Sequence, residues 1–230
     1  MTSQRVFNNV KNFLQSSSNQ DLITSGDFSE LFARAHQYFE YVGEFRQLSE
    51  LLIESGINVL SFLTRIPADF LYGCTESYAI KFPTTVQEIG DSAFRDAQLL
   101  TFSELPDKIH RIEDNAFFNC KGLISITLPG DIEYLGEAAF ALCSGLTDVI
   151  IGEGIESLLD HTFRRCQNLI NVYLPSTIRE LEDEVFSGCP KLTIHYAGTK
   201  RDWANIKKGA AVVDDRALIK CSDGVWGVHN

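Results

Sequence analysis

The sequence predicts an α/β solenoid: stacked coils that each give one short strand to a parallel ladder, flanked by a helical N-terminal region and a C-terminal helix–hairpin cap. Three observations predict it. Phenylalanine recurs every 23 residues, at Phe94, Phe117, Phe140, Phe163 and Phe186, with Leu71 one interval earlier. Two aliphatic columns keep phase with it: Ile66, Ile89, Ile112, Leu135, Leu158 and Leu181, and, three positions before these, Leu63, Val86, Ile109, Ile132, Ile155 and Ile178. An apolar run then ends at proline or glycine: Leu123-x-x-Ile126-x-Leu128 before Pro129, Leu146-x-x-Val149-x-Ile151 before Gly152, and Leu169-x-x-Val172-x-Leu174 before Pro175. A fixed period of about 20–50 residues marks units that bury a shared core only by stacking. Proline stops each strand because it cannot donate to the ladder.

Residues 1–56 read as helices. Phe7, Val10, Phe13 and Leu14 share one helical face, and the polar run SSSNQ at 16–20 reads as a linker. Asp27 can cap a second helix, in which Phe28, Leu31, Phe32, Ala35 and Phe39 recur at helical spacing, and Leu48, Leu51 and Leu52 continue an apolar face to Ser55-Gly56. A solenoid end must be covered, so this region is expected to cap the stack. Its many aromatic residues, Tyr38, Tyr41 and Phe45 among them, leave docking onto another protein open as a second role. Residues 57–196 form about six coils, the first two degenerate, with Ser77 in the leucine column and Ser103 where Ile126 later stands. Three positions after each phenylalanine sits a small residue: Cys74, Ala97, Cys120, Cys143, Cys166 and Cys189. Residues 197–230 form the closing cap. Thr199 suits a helix N-cap, Trp203 and Ile206 lie on one face as a lid, and Gly209 is a stop. ALIKC (217–221), a turn at Asp223-Gly224 and VWGV (225–228) suggest a hairpin.

The L-x-x-L-x-L run on this period is the core of a leucine-rich repeat solenoid. The full pattern I-x-x-I-x-x-x-x-F-x-x-C-x-x-L-x-x-I-x-L-P, seen in IHRIEDNAFFNCKGLISITLP at 109–129, resembles the BspA-like leucine-rich repeat family. The resemblance runs over about 57–224. It takes in the last strand and G-T-x-x-x-W helix at Ile194–Trp203 and the closing I-x-C-S-D-G at Ile219–Gly224. It implies protein binding, since members are often surface adhesins.

Composition narrows the partners. A net charge of −11 argues against nucleic acid or an anionic membrane, and the one basic cluster, Lys207-Lys208 beside Lys200-Arg201, is diluted by Asp202. No segment is apolar enough for membrane insertion. The N-terminus lacks an apolar signal core, so a cytoplasmic place, or one within a virion or other assembly, is expected over conventional secretion. The cysteine column reads as small packing residues, because alanine replaces cysteine at Ala97. His161 and Cys166 are chance neighbours with no orienting carboxylate, the other histidines show no metal spacing, and Glu182-Asp183-Glu184 reads as a solvated face. No catalytic or phosphate motif occurs. No enzyme activity, cofactor or metal is expected.

Binding is expected on the strand face turned away from the core. If residues of the Ile126 and Leu128 type point inward, the alternate columns point out. One column is Ala79, Phe102, Ser125, Asp148, Asn171 and Ile194; the other is Lys81, Glu104, Thr127, Ile150, Tyr173 and Tyr196. Phe102, Ile150, Tyr173 and Tyr196 are apolar or aromatic there, with Asp148 and Asn171 between them. Exposed aromatics on rigid strands are typical interface anchors, although strand propensity alone also favours these residue types. The expected function is a protein-recognition module with these six residues as its site. The alternative is a structural subunit of a large assembly, docked through residues 1–56.

Overall fold

The computed structural model describes the backbone of residues 3–38, 42–54, 63–102 and 104–226, and the side chains of all of these but 3–7, 29, 36, 42–45 and 54. Of the residues read above, Phe39, Tyr41, Ser55, Gly56, Ser103, Gly227, Val228 and the side chains of Phe7 and Phe45 lie outside that set. Four helices open the chain: α1 (Ser3–Gln15), α2 (Ser17–Ser25), α3 (Phe28–Tyr38) and α4 (Val42–Glu54). The polar run 16–20, expected to be a linker, is instead the start of α2. The Ser16 hydroxyl caps it by accepting from Asn19 N–H, and Gly26, at φ 78°, ends it in the left-handed region. Serine and asparagine satisfy the free amides of a helix start as readily as they occupy a loop. Asp27 Oδ1 accepts from Glu30 N–H at 3.2 Å and caps α3 as expected.

Val10, Phe13, Phe28, Leu31, Phe32, Ala35, Leu48 and Leu52 share one continuous core with the coils. Phe32 meets Phe70 of the first coil edge-on at 5.5 Å, and Arg46 Nη1 donates to Gly73 O at 2.8 Å. The helices thus cover the open end of the stack.

Each coil contributes two strands where the sequence predicts one. The longer ones, β6 (Ser125–Leu128), β8 (Asp148–Ile151), β10 (Asn171–Leu174), β12 (Thr193–Tyr196) and β14 (Leu218–Cys221), pair in parallel and are closed by the antiparallel β15 (Gly224–Trp226). Their forerunners β2 (Ala79–Ile80) and β4 (Thr101–Phe102) form a separate parallel pair. A second, two-residue ladder follows the aliphatic column: β1 (Arg65–Ile66), β3 (Glu88–Ile89), β5 (Arg111–Ile112) and β7 (Tyr134–Leu135) in one sheet, β9 (Ser157–Leu158), β11 (Glu180–Leu181) and β13 (Lys207–Lys208) in another. Inward residues of both ladders fill a single core.

Along its centre Phe94, Phe117, Phe140, Phe163 and Phe186 stack nearly parallel, their centroids 5.1–5.6 Å apart. Around each ring the chain turns through two left-handed residues, such as Asn115 and Asn119, or His161 and Arg165. The turns let each phenylalanine amide donate to the following coil, as Phe117 N–H does to Ala139 O at 2.8 Å. The cysteines do more than fill space. Cys120, Cys143, Cys166 and Cys189 each donate Sγ–H to the carbonyl of the preceding coil's phenylalanine at 3.0–3.3 Å. Their thiols are free, and burial pushes that of Cys143 up to about 12, far from thiolate chemistry.

The strand period is not 23 throughout. Ile80 pairs with Phe102 and Tyr173 with His195, intervals of 22 residues. Leu100-Thr-Phe102 and Leu192-Thr-Ile194 are each one residue shorter than Leu169-x-x-Val172. The contraction turns every following strand residue over, because side chains alternate with period two. Two site expectations fall with it. Phe102 points inward, its ring 5.3 Å from both Phe82 and Phe117. Tyr196 is buried against the lid, 5.5 Å from Trp203. Trp203 sits on α5 (Lys200–Asn205), capped by reciprocal Thr199 and Asp202 bonds. That helix ends at Asn205, ahead of Gly209, because Lys207 and Lys208 are drawn into the second ladder.

Candidate functional site

Beyond these corrections, four of the six candidates share one strand face, and β12, β14 and β15 extend its two rows with other residues than those expected. One row runs Ser125, Asp148, Asn171, Thr193 and Leu218; the other runs Thr127, Ile150, Tyr173, His195 and Lys220, with Val225 opposite Lys220 on β15. Ile150, Tyr173, Leu218 and Val225 are 46%, 43%, 39% and 54% exposed, high values for such residues on a paired ladder. Below them Val149, Ile151, Val172, Leu174, Ile194 and Ile219 are buried, so the presenting backbone is fixed from beneath.

A polar chain ties the row together. Thr147 Oγ1 donates to Asp148 Oδ2 at 2.7 Å, and Asn171 Nδ2 donates to Asp148 Oδ1 at 2.9 Å. Asn171 Oδ1 lies 3.1 Å from His195 Nε2. With the amide oxygen accepting, the imidazole carries a proton on Nε2. The Asn171 and Thr147 bonds hold the Asp148 carboxyl below its ordinary value. His195 is held low by burial first and by Lys220 second, so near neutral pH its ring is uncharged. That ring stacks on Tyr173 at 4.6 Å. Glu153, Tyr173, Pro175, His195, Lys220 and Cys221 border an open groove of roughly 420 Å³ at this end of the ladder. The face therefore offers apolar and aromatic surface with a polar seam whose charged members are the Asp148 carboxylate and Lys220.

His195, Leu218, Lys220 and Val225 were missed from the sequence. The alternation Leu192-Thr-Ile-His-Tyr196 signals the first, and Leu218-Ile-Lys220 signals a strand that joins the ladder as well as a hairpin. The features expected to be inert are occupied with structure. Lys208 Nζ donates to Trp203 O and lies over its ring at 4.9 Å, and Lys207 pairs with Glu180. Asp183 Oδ1 accepts from Ala210 N–H, so the acidic run 182–184, expected to be merely solvated, ties one coil to the next. Among the described residues no cluster could hold a metal ion, and no helix is long and apolar enough to cross a membrane.

A stack of such coils with a parallel ladder defines a leucine-rich repeat solenoid. The model of the BspA type leucine rich repeat region matches the chain in six copies over residues 64–193. The chain belongs to that family. Among solved structures it is similar to a leucine-rich repeat protein of T. pallidum, with 28% identity and a TM-score of 0.56 over 64% of this chain and 66% of that one. It is also similar to a leucine-rich repeat protein of Bacteroides ovatus, with 20% identity and a TM-score of 0.55 over 71% of this chain and 48% of that one. The chain spans less than two thirds of the length of either. No curated protein matches it in sequence.

Proposed function

We propose that this protein is a non-enzymatic recognition module that holds a protein partner, in the manner of an adhesin, on the strand face centred on Ile150, Tyr173, Asp148 and Asn171 and extended by His195, Leu218, Lys220 and Val225. The observation that carries the reading is the run of half-exposed apolar side chains, Ile150, Tyr173, Leu218 and Val225, on one rigid face. Anchors of this kind lose little conformational freedom on binding. A second reading, a subunit docked into a virion or other large assembly through residues 1–56, draws on Tyr38, which is 54% exposed at the end of α3.

Affinity capture with the full chain, an Ile150→Asp/Tyr173→Asp variant and a Tyr38→Asp variant separates the two, once circular dichroism shows all three folded. Loss of partner with the strand-face variant alone is expected, because two buried carboxylates without counter-ions oppose the interface. Loss with Tyr38→Asp alone would move the anchor to the N-terminal helices.

A further inference from the structure

The second ladder is broken at one junction. Register along it advances by 23 residues on either side, Arg111 facing Tyr134 and Ser157 facing Glu180, so Tyr134 should face Ser157. Among the described residues β7 pairs with β5 and β9 with β11, but β7 and β9 do not pair. On the flanking coils the same two amides bridge each time: Glu133 to His110 O and Gly136 to Ile112 O at 2.8 Å, Arg179 to Glu156 O at 2.7 Å and Glu182 to Leu158 O at 3.0 Å. The equivalent amides of Glu156 and Leu159 make no such bond to the coil before them. A slot of roughly 310 Å³ opens there, bordered by Glu133, Tyr134, Leu135, Ile155, Glu156 and Ser157. The other contacts between the same two coils are complete. β6 and β8 keep four register pairs, and Ala138 and Phe140 amides donate to Asp160 and Thr162 at 2.9 Å.

The charge pattern differs at the break, where Glu133 and Glu156 both border the slot. Down the register column His110 neighbours Glu133 and Glu156 neighbours Arg179, but at the open junction Glu133 neighbours Glu156. Like charges directly opposite disfavour pairing. In the next column two closed junctions carry opposite charges, Arg65 with Glu88 at 3.3 Å and Lys207 with Glu180, while Arg111 facing Tyr134 and Ser157 facing Glu180 close without such a pair, so the Glu133–Glu156 pair is what sets the open junction apart. Tyr134 is drawn back toward its own side, its hydroxyl donating to Asp114 Oδ1 at 2.8 Å and its ring 4.3 Å under Arg111.

We infer that this junction is a bending point built into the solenoid, hinged on the intact β6–β8 pairing and held open across the core by Glu133 against Glu156. The coils from β8 onward tilt as a body about that line. The bend itself is independent of what the protein binds; its use, fitting the curvature of the strand face to a partner, rests on the function proposed above.

Amide hydrogen exchange on the full chain tests it. Glu156 and Leu159 are expected to exchange much faster than Glu133, Gly136, Arg179 and Glu182. Glu133→Lys, an exposed substitution, places opposite charge across the slot and should slow the Glu156 and Leu159 amides about tenfold, as expected when a repulsive pair becomes an attractive one. Raising the salt concentration of the unaltered protein should slow the same amides by a smaller factor through screening. Equal protection of all six amides would overturn the bending point. Fast exchange left unchanged by both Glu133→Lys and salt would overturn its electrostatic cause. Partner capture by the Ile150→Asp/Tyr173→Asp variant reports on the recognition face alone, so the two ideas fail separately.

Discussion

His195 lies between a tyrosine ring and a lysine, and its surroundings set its charge. Burial and, less strongly, Lys220 hold its imidazole below the unfolded value of about 6.5. As pH falls through that value the unfolded chain takes up the proton first. Folding stability therefore declines from about pH 6.5 down to the lower folded value, below which the loss is complete. Asp148 acts in the same direction further down: its depressed carboxyl contributes stability above the unfolded value of about 3.9, and that contribution disappears as pH falls through the folded one. Ring-proton NMR titration should find His195 titrating below the ordinary range. Lys220→Gln should bring it only part of the way back, because burial is the larger cause. A midpoint at or above the ordinary value would mean that the ring is not seated on Tyr173 as described. On the Tyr173 strand face, protonation would place a second cation beside Lys220 and on the Tyr173 ring, so the local charge rises below this transition.

At the scale of the coil, the phenylalanine stack does the holding. Phe163 is fully buried between Phe140 at 5.5 Å and Phe186 at 5.6 Å. Phe163→Ala should cost about 3–5 kcal/mol in a denaturant melt, the range for removing a buried aromatic ring. Each coil touches only its neighbours, so hydrogen exchange should rise first in the coils of β8, β10 and β12 and last in α3. A uniform rise would show the stack to be one cooperative block. The 23-residue period made the stack and the strand ladder legible, because repetition forces identical burial at every rung, and the terminal lid was legible from the Thr199 cap with Trp203 and Ile206 on one helical face. What it hid were departures from itself. Dropping one residue after Leu100 and after Leu192 reverses the facing of Phe102 and of Ile194–Tyr196, a change visible only in the local alternation of apolar and polar residues. Half the candidate site, Asp148, Ile150, Asn171 and Tyr173, came from coils that keep the period. The second ladder was present as an aliphatic column, but two-residue strands give too short an alternation to be told from a turn. The SSSNQ run was ambiguous by nature, since the residues that open loops also open helices.

Over the whole molecule, the two ends of the stack are closed by different means, and this sets how it should unfold. At the C-terminal end Trp203, Ile206 and the β14–β15 hairpin close the core next to the Tyr173 strand face. At the other end the cover is four helices, joined to the first coil through Phe32 on Phe70 and Arg46 on the Gly73 carbonyl. Leu63, Ile66, Phe70 and Leu71 are fully buried beneath them. Deleting residues 1–56 exposes that layer, and burial of such side chains is worth about 1.5–3 kcal/mol each, more than one degenerate coil can recover. The truncated chain should melt at a lower temperature, bind a hydrophobic dye, and show fast exchange in the coils of β1 and β3 that fades toward β8. Below its melting temperature it should still capture whatever the Tyr173 face binds, because that face lies at the opposite end of the stack. Unchanged melting would mean that the helices do not act as the cap. Lost capture by a truncated chain whose β8–β14 amides remain protected would place part of the partner's contact on residues 1–56 and join the two readings of the function into one extended interface.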